Sequence, residues 1–88
     1  MRFRARIDAN HPEIVHALEQ AGCSVQSLAA LGKGVPDILV GRAGENFLLE
    51  IKTKNGKLTC AQLRWSWRGQ CAVVRTVEEA FRVVGITR

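Results

Sequence analysis

The sequence predicts an α/β sandwich in a single domain. Its elements run helix, strand, strand, strand, helix, strand, helix around a central mixed sheet. Three observations carry that expectation. Two apolar runs, Gly34-Val35-Pro36-Asp37-Ile38-Leu39-Val40 and Phe47-Leu48-Leu49-Glu50-Ile51-Lys52, flank a Gly-rich turn at residues 41–44, the pattern of a β-hairpin. Two later segments open with capping boxes, Thr59 with Gln62 and Thr76 with Glu79, which mark helix starts. Ile14, Leu18 and Ala21, with Val15 alongside, form a stripe at helical spacing.

Taken in order, residues 1–7 alternate Arg2, Arg4 and Arg6 against Phe3, Ala5 and Ile7. They suit a short edge strand, a basic arm that touches nucleic acid, or a frayed terminus. Residues 8–21 read as the first helix, with Asn10 as N-cap, Pro12 in the first turn and Gly22 as the stop. Residues 23–28 read as a strand, and residues 29–34 as a loop with two glycines around Lys33. That loop is not a phosphate-cradling P-loop, since it lacks the glycine spacing and the Ser or Thr after Lys, so no nucleotide cofactor is expected. After the hairpin, Asn55-Gly56 signals a turn. The Thr59 helix runs to Trp67 or Arg68 and stops at Gly69. Trp65 and Trp67 stand about 200° apart on it, so only one can face the core. Residues 70–75 read as a buried final strand. The last helix, residues 77–84, buries Val77, Ala80, Phe81 and Val84 and ends at Gly85.

Composition narrows the function classes. Eighty-eight residues, 47% of them hydrophobic, allow one modest core, and a chain this short gains from oligomerisation. The sequence carries no signal peptide and no apolar run long enough to cross a bilayer, so a soluble cytoplasmic protein without a membrane partner is expected. Cys23, Cys60 and Cys71 are odd in number and lack ligand spacing. They argue against a disulfide framework or zinc site, and small buried thiols are the default. A net charge of +5, from 13 basic and 8 acidic residues, favours a polyanionic partner.

The chemistry concentrates in the hairpin. Residues two apart on a strand share a face, so Leu48, Glu50 and Lys52 point one way and Phe47, Leu49 and Ile51 the other. Hairpin pairing brings Asp37, at the start of one strand, near the end of the other. Two carboxylates and an ammonium then converge at one sheet edge. That set suits a hard divalent cation, which takes oxygen ligands and usually one or two carboxylates. The bland alternative is an exposed hairpin with ordinary strand-end charges.

Pro36-Asp37 followed by Glu50-Ile51-Lys52 resembles the PD-(D/E)xK nuclease pattern. With Gly32-Lys33-Gly34-Val35 before it, and Gly56-Lys57-Leu58-Thr59 and Gln62 after it, roughly residues 8–85 resemble the virus-type replication-repair nuclease domain (VRR-NUC), small stand-alone versions of which occur in bacteriophages. The resemblance implies a restriction-endonuclease-like core. It also implies Mg²⁺ or Mn²⁺ held by Asp37, Glu50 and the Ile51 carbonyl, with Lys52 positioning the nucleophile and Gln62 supporting it. An extra helix-one acid is common in such enzymes; Asp8 and Glu13 are the candidates, and ordinary helix N-terminal charge is the alternative for each. Gln62 also has a purely structural reading as the partner of Thr59.

The expected function is metal-dependent hydrolysis of DNA phosphodiesters, structure-selective on branched DNA such as Holliday junctions, by a homodimer. Arg2, Arg4, Arg6, Lys33, Lys54, Lys57 and Arg64 are the candidate DNA contacts. A non-cutting DNA-binding protein of the same fold is the alternative. A metal-free RNase finds less support, because His11 and His16 lie far in sequence from Glu50.

Overall fold

The computed structural model describes residues 10–67 and 69–87, the side chain of Trp67 apart. The order is α1 (Asn10–Gln20), β1 (Ser24–Ser27), a 3-10 turn (Ala29–Leu31), β2 (Ile38–Arg42), β3 (Glu45–Ile51), α2 (Cys60–Trp67), β4 (Ala72–Val74) and α3 (Val77–Val84). The chain is therefore mixed α/β. Its four-stranded sheet has the order β1-β2-β3-β4, antiparallel between β1, β2 and β3 and parallel between β3 and β4. The parallel pair follows from α2, which supplies the crossover that two parallel strands need.

The hairpin turn is tighter than the sequence suggests. Arg42 pairs with Glu45, so only Ala43 and Gly44 form the loop, and Gly41 lies within the ladder opposite Asn46 and Ser24. Ala43 and Gly44 have φ of 53° and 80°, the positive values that a type I′ turn demands at both central residues. Such a turn matches strand twist in two residues, so the other glycine is free to pair.

Register decides what each sheet face carries. Ile38 faces Leu49, Val40 faces Phe47, and Ile51 faces Val74. Ile38, Val40, Leu49, Ile51 and Val74 bury themselves against Ile14 and Leu18 of α1 and Ala80, Phe81 and Val84 of α3. The apolar stripe of α1 thus lies on the core as its spacing requires. The opposite face carries half-buried Leu39, Leu48 and Val73 and ends at Asp37 and Glu50, beside α2.

Helix ends follow local chemistry with two corrections. Thr76 Oγ1 accepts the Glu79 N–H at 3.0 Å. Glu79 reaches past Thr76 to the Arg75 N–H at 2.7 Å, one residue earlier than a reciprocal box. Gly85 closes α3 in the left-handed region with φ 86°, and the Ile86 N–H bonds the Phe81 carbonyl at 2.8 Å. Asn10 does not cap α1. Its amide is drawn away to two distant carbonyls, described below.

The final strand is shorter than expected. It spans Ala72–Val74, lies at the sheet edge, and buries only Val74 of its three residues. Nothing among the described residues covers its outer side as a fifth strand would. Trp65 is half-buried and outside the main core. Of the cysteines, Cys23 is buried, Cys71 half-buried and Cys60 exposed, so the buried-thiol expectation describes only the first. Among the described residues no helix is long and apolar enough to cross a membrane. Residues 1–7, expected as an edge strand, a basic arm or a frayed terminus, lie outside the described residues with Arg2, Arg4 and Arg6, as do Asp8 and Arg68.

Candidate functional site

The hairpin register delivers the two carboxylates to one place. Ile38 pairs with Leu49, so the next step of the ladder sets Asp37 opposite Glu50 on the same face. Cross-strand neighbours of this kind hold their Cβ atoms about 4.5–5.5 Å apart. Asp37 Oδ2 accepts the Ile51 N–H at 2.7 Å, which ties the start of β2 to the end of β3. The Asp37 carbonyl accepts the Leu28 N–H at 2.8 Å and continues the β1–β2 ladder. Its other carboxylate oxygen makes no hydrogen bond, and Asp37 has no ion-pair partner, among the described residues.

Glu50 is only 2% exposed. A carboxylate buried to that degree requires partners. Its Oε2 accepts from Gln62 Nε2 at 3.0 Å and lies 3.8 Å from Lys52 Nζ. The Lys52 side chain keeps 17% exposure, so its ammonium sits at the mouth of the site rather than within it. An exposed hairpin with ordinary strand-end charges does not describe this arrangement.

Gln62 serves both readings at once. Its Oε1 accepts the Thr59 N–H at 2.9 Å, and its N–H donates to Thr59 Oγ1 at 3.2 Å, completing the capping box. The other end of the same amide reaches Glu50. The cap therefore fixes the rotamer that presents Nε2 to the carboxylate. Helix α2 is seated by a close approach: a Cβ on Gly34 would stand 2.4 Å from Ala61 Cβ and 2.8 Å from the Ala61 carbonyl carbon. Only glycine allows that contact, and its φ of 77° suits glycine as well.

Three participants were not legible in the sequence. Cys71 lies just before β4, on the sheet face that carries Glu50. Its thiol is pushed up from its ordinary value, first by burial and then by the negative charges of Glu50 and Asp37. Asn10 Nδ2 donates to the Lys52 and Arg75 carbonyls, each at 2.9 Å, across 42 and 65 residues of sequence. Arg75 Nη1 in turn binds the carbonyls of Thr53 and of Gly56, the latter at 2.8 Å. None of these has a local signal, since spacing along the chain does not announce partners so remote.

The remaining expected residues fall into two groups. Lys33, Lys54, Lys57 and Arg64 are exposed. Glu13 is exposed on the first turn of α1 and is not gathered with Asp37 and Glu50; among the described residues no three His, Cys, Asp or Glu side chains form a metal-ready cluster. A recess of about 370 Å³ opens between α1 and β1, lined by His11, His16, Glu19, Val25 and Ile38 among others. Ile38 and Val25 belong to the core face, so this recess lies across the sheet from Glu50. No hydrogen bond joins its histidines to Glu19.

The donor set at Asp37 and Glu50 is all oxygen, with the Ile51 carbonyl as a third candidate. Two carboxylates are what Mg²⁺ or Mn²⁺ ordinarily takes from a protein. Asp37 and Glu50 against Lys52 leave one negative charge in excess, which a cation would offset. The residues present fit such an ion. Comparison with protein-family models, curated proteins and solved structures found no match to this chain.

Proposed function

We propose that this protein is a metal-dependent DNA nuclease of the PD-(D/E)xK kind, similar to the VRR-NUC domain and built on a restriction-endonuclease-like core. One observation carries the reading: a buried Glu50 and an Asp37 without an ion-pair partner among the described residues share one face at the ends of paired strands, with the Lys52 ammonium 3.8 Å from Glu50. Asp37, Glu50 and the Ile51 carbonyl would hold Mg²⁺ or Mn²⁺. When bound, the ion would lower the pKa of a water and neutralise phosphate charge. Lys52, at the mouth, orients the attacking water and meets the charge developing on the phosphoryl oxygens. Gln62 holds Glu50 in its rotamer. Exposed Lys33, Lys54, Lys57 and Arg64 track the DNA backbone. Branched DNA is the proposed substrate and a homodimer the proposed form, since two copies give two sites for two strands.

The test is incubation with linear, flapped and four-way DNA in Mg²⁺, Mn²⁺ or chelator, together with Mn²⁺ titration. Cleavage that needs metal and is lost in Asp37→Ala, Glu50→Ala and Lys52→Ala is expected. Wild-type cleavage by Glu50→Ala would reject the assignment. A second reading is favoured by the fact that Glu50 already has Lys52 and Gln62 as partners: the same residues would then form an ion-pair cluster in a non-cutting DNA-binding protein. DNA binding without Mn²⁺ binding would select it. Cleavage that persists in chelator would turn attention to His11, His16 and Glu19.

A further inference from the structure

We propose that Asn10 and Arg75 are positioning residues that clamp the backbone from Lys52 to Gly56 and so set where the Lys52 ammonium stands. The inference rests on the nuclease reading for its catalytic consequence, though not for the clamp itself.

Lys52 leaves the sheet at the carboxyl end of β3, where no further ladder partner holds it. Both of its peptide groups are nevertheless anchored. Its N–H donates to the Val74 carbonyl at 3.1 Å, and its carbonyl accepts from Asn10 at 2.9 Å. The same Asn10 amide binds the Arg75 carbonyl, so one side chain from α1 joins the diverging ends of β3 and β4. Arg75 then turns its guanidinium onto Thr53 and Gly56, the two ends of the turn that Gly56 N–H to Thr53 carbonyl closes at 3.0 Å. Glu79 fixes Arg75 from its other side through the Arg75 N–H. The donors on Arg75 Nη1 are spent on carbonyls rather than left for phosphate.

The geometry fixes the orientation of Asn10. Two carbonyl oxygens face it, so the NH₂ end must point at them. Its Oδ1 is left buried with no hydrogen-bond partner among the described residues. A native protein tolerates such a loss where the group's other contacts matter more. An aspartate here would set a carboxylate against two carbonyl oxygens. The clamp also governs Lys54 and Lys57, which stand exposed on and beside the braced turn. A lysine side chain is long and flexible, and anchoring its backbone is the means by which the fold limits where the ammonium reaches.

The experiment uses the full chain in four forms: wild type, Asn10→Asp, Arg75→Met and Arg75→Lys. Hydrogen exchange reads the clamp directly. Arg75→Met should speed exchange in residues 52–57 by about tenfold while the core amides stay protected. Mn²⁺ titration should stay within about twofold of wild type, because Asp37 and Glu50 are untouched. In the cleavage assay kcat should fall by about tenfold or more with KM little changed, as expected when a catalytic group is misplaced rather than removed. Arg75→Lys should recover part of both effects, and Asn10→Asp should exceed them. Unchanged exchange at 52–57 in Arg75→Met would overturn the clamp. Faster exchange with unchanged kcat would overturn the positioning role. Absence of Mn²⁺ binding and cleavage in wild type would refute the nuclease reading instead, and the exchange data would still decide the clamp.

Discussion

Gly34→Ala isolates the contact that seats α2 and, through it, the Glu50–Gln62 bond. Two costs add. The residue sits at φ 77°, and an L side chain in that region costs about 1–2 kcal/mol. The new methyl would meet Ala61 Cβ at 2.4 Å and the Ala61 carbonyl carbon at 2.8 Å. Ordinary contact needs at least 3.4 Å, and the obstacle is helix backbone, so α2 must retreat by about 1 Å. Overpacking of that kind costs about 1–3 kcal/mol. Gly22→Ala supplies the control: its φ is 96°, but nothing lies within 4 Å of a Cβ there. Gly34→Ala should therefore melt below Gly22→Ala by about 4–24 °C, at about 4–8 °C per kcal/mol for a domain of this size. Both tryptophans of the chain, Trp65 and Trp67, lie on α2, so intrinsic fluorescence reports on that helix alone. Emission should shift to the red in Gly34→Ala and not in Gly22→Ala. Equal melting points with unchanged emission would refute the seating of α2 on the 32–36 loop.

The remaining predictions separate charge from structure. Asp37→Asn keeps an oxygen for the Ile51 N–H and should fold like wild type yet lose Mn²⁺ binding, whereas Asp37→Ala orphans that N–H and should also lose about 1–3 kcal/mol in urea unfolding. Ala43→Asn relieves a non-glycine φ of 53° in a type I′ turn and should raise stability by about 1 kcal/mol; a melting point at or below wild type contradicts the turn assignment. Iodoacetamide should label exposed Cys60 faster than Cys71, and Glu50→Gln should accelerate Cys71 by removing a carboxylate that raises its pKa. The sign for stability follows. The unfolded thiol ionises near its ordinary value of 9.0 while the folded one keeps its proton, so this contribution is intact below that pH and is lost as pH rises above it. Cys71→Ala should flatten that part of the unfolding profile, and an unaltered profile would exclude the thiol as its source.

The chain's local grammar determined most of the elements. Thr59 with Gln62, Thr76 with Glu79, the stripe through Ile14 and Leu18, and the apolar runs around Ala43-Gly44 act over two to four residues, so spacing alone reveals them. The paired apolar runs set Asp37 near Glu50, although the register itself comes from the two-residue Ala43-Gly44 turn, which the sequence suggested as residues 41–44. What only tertiary structure decided is the environment of those groups. Glu50 is buried because α2 comes to rest on Gly34, Lys52 is anchored because Asn10 crosses from α1 instead of capping it, and Cys71 joins the carboxylates because β4 lies parallel to β3. Each depends on packing between segments tens of residues apart. Desolvation and remote hydrogen bonds belong to the assembled fold, and no periodicity along the chain encodes them.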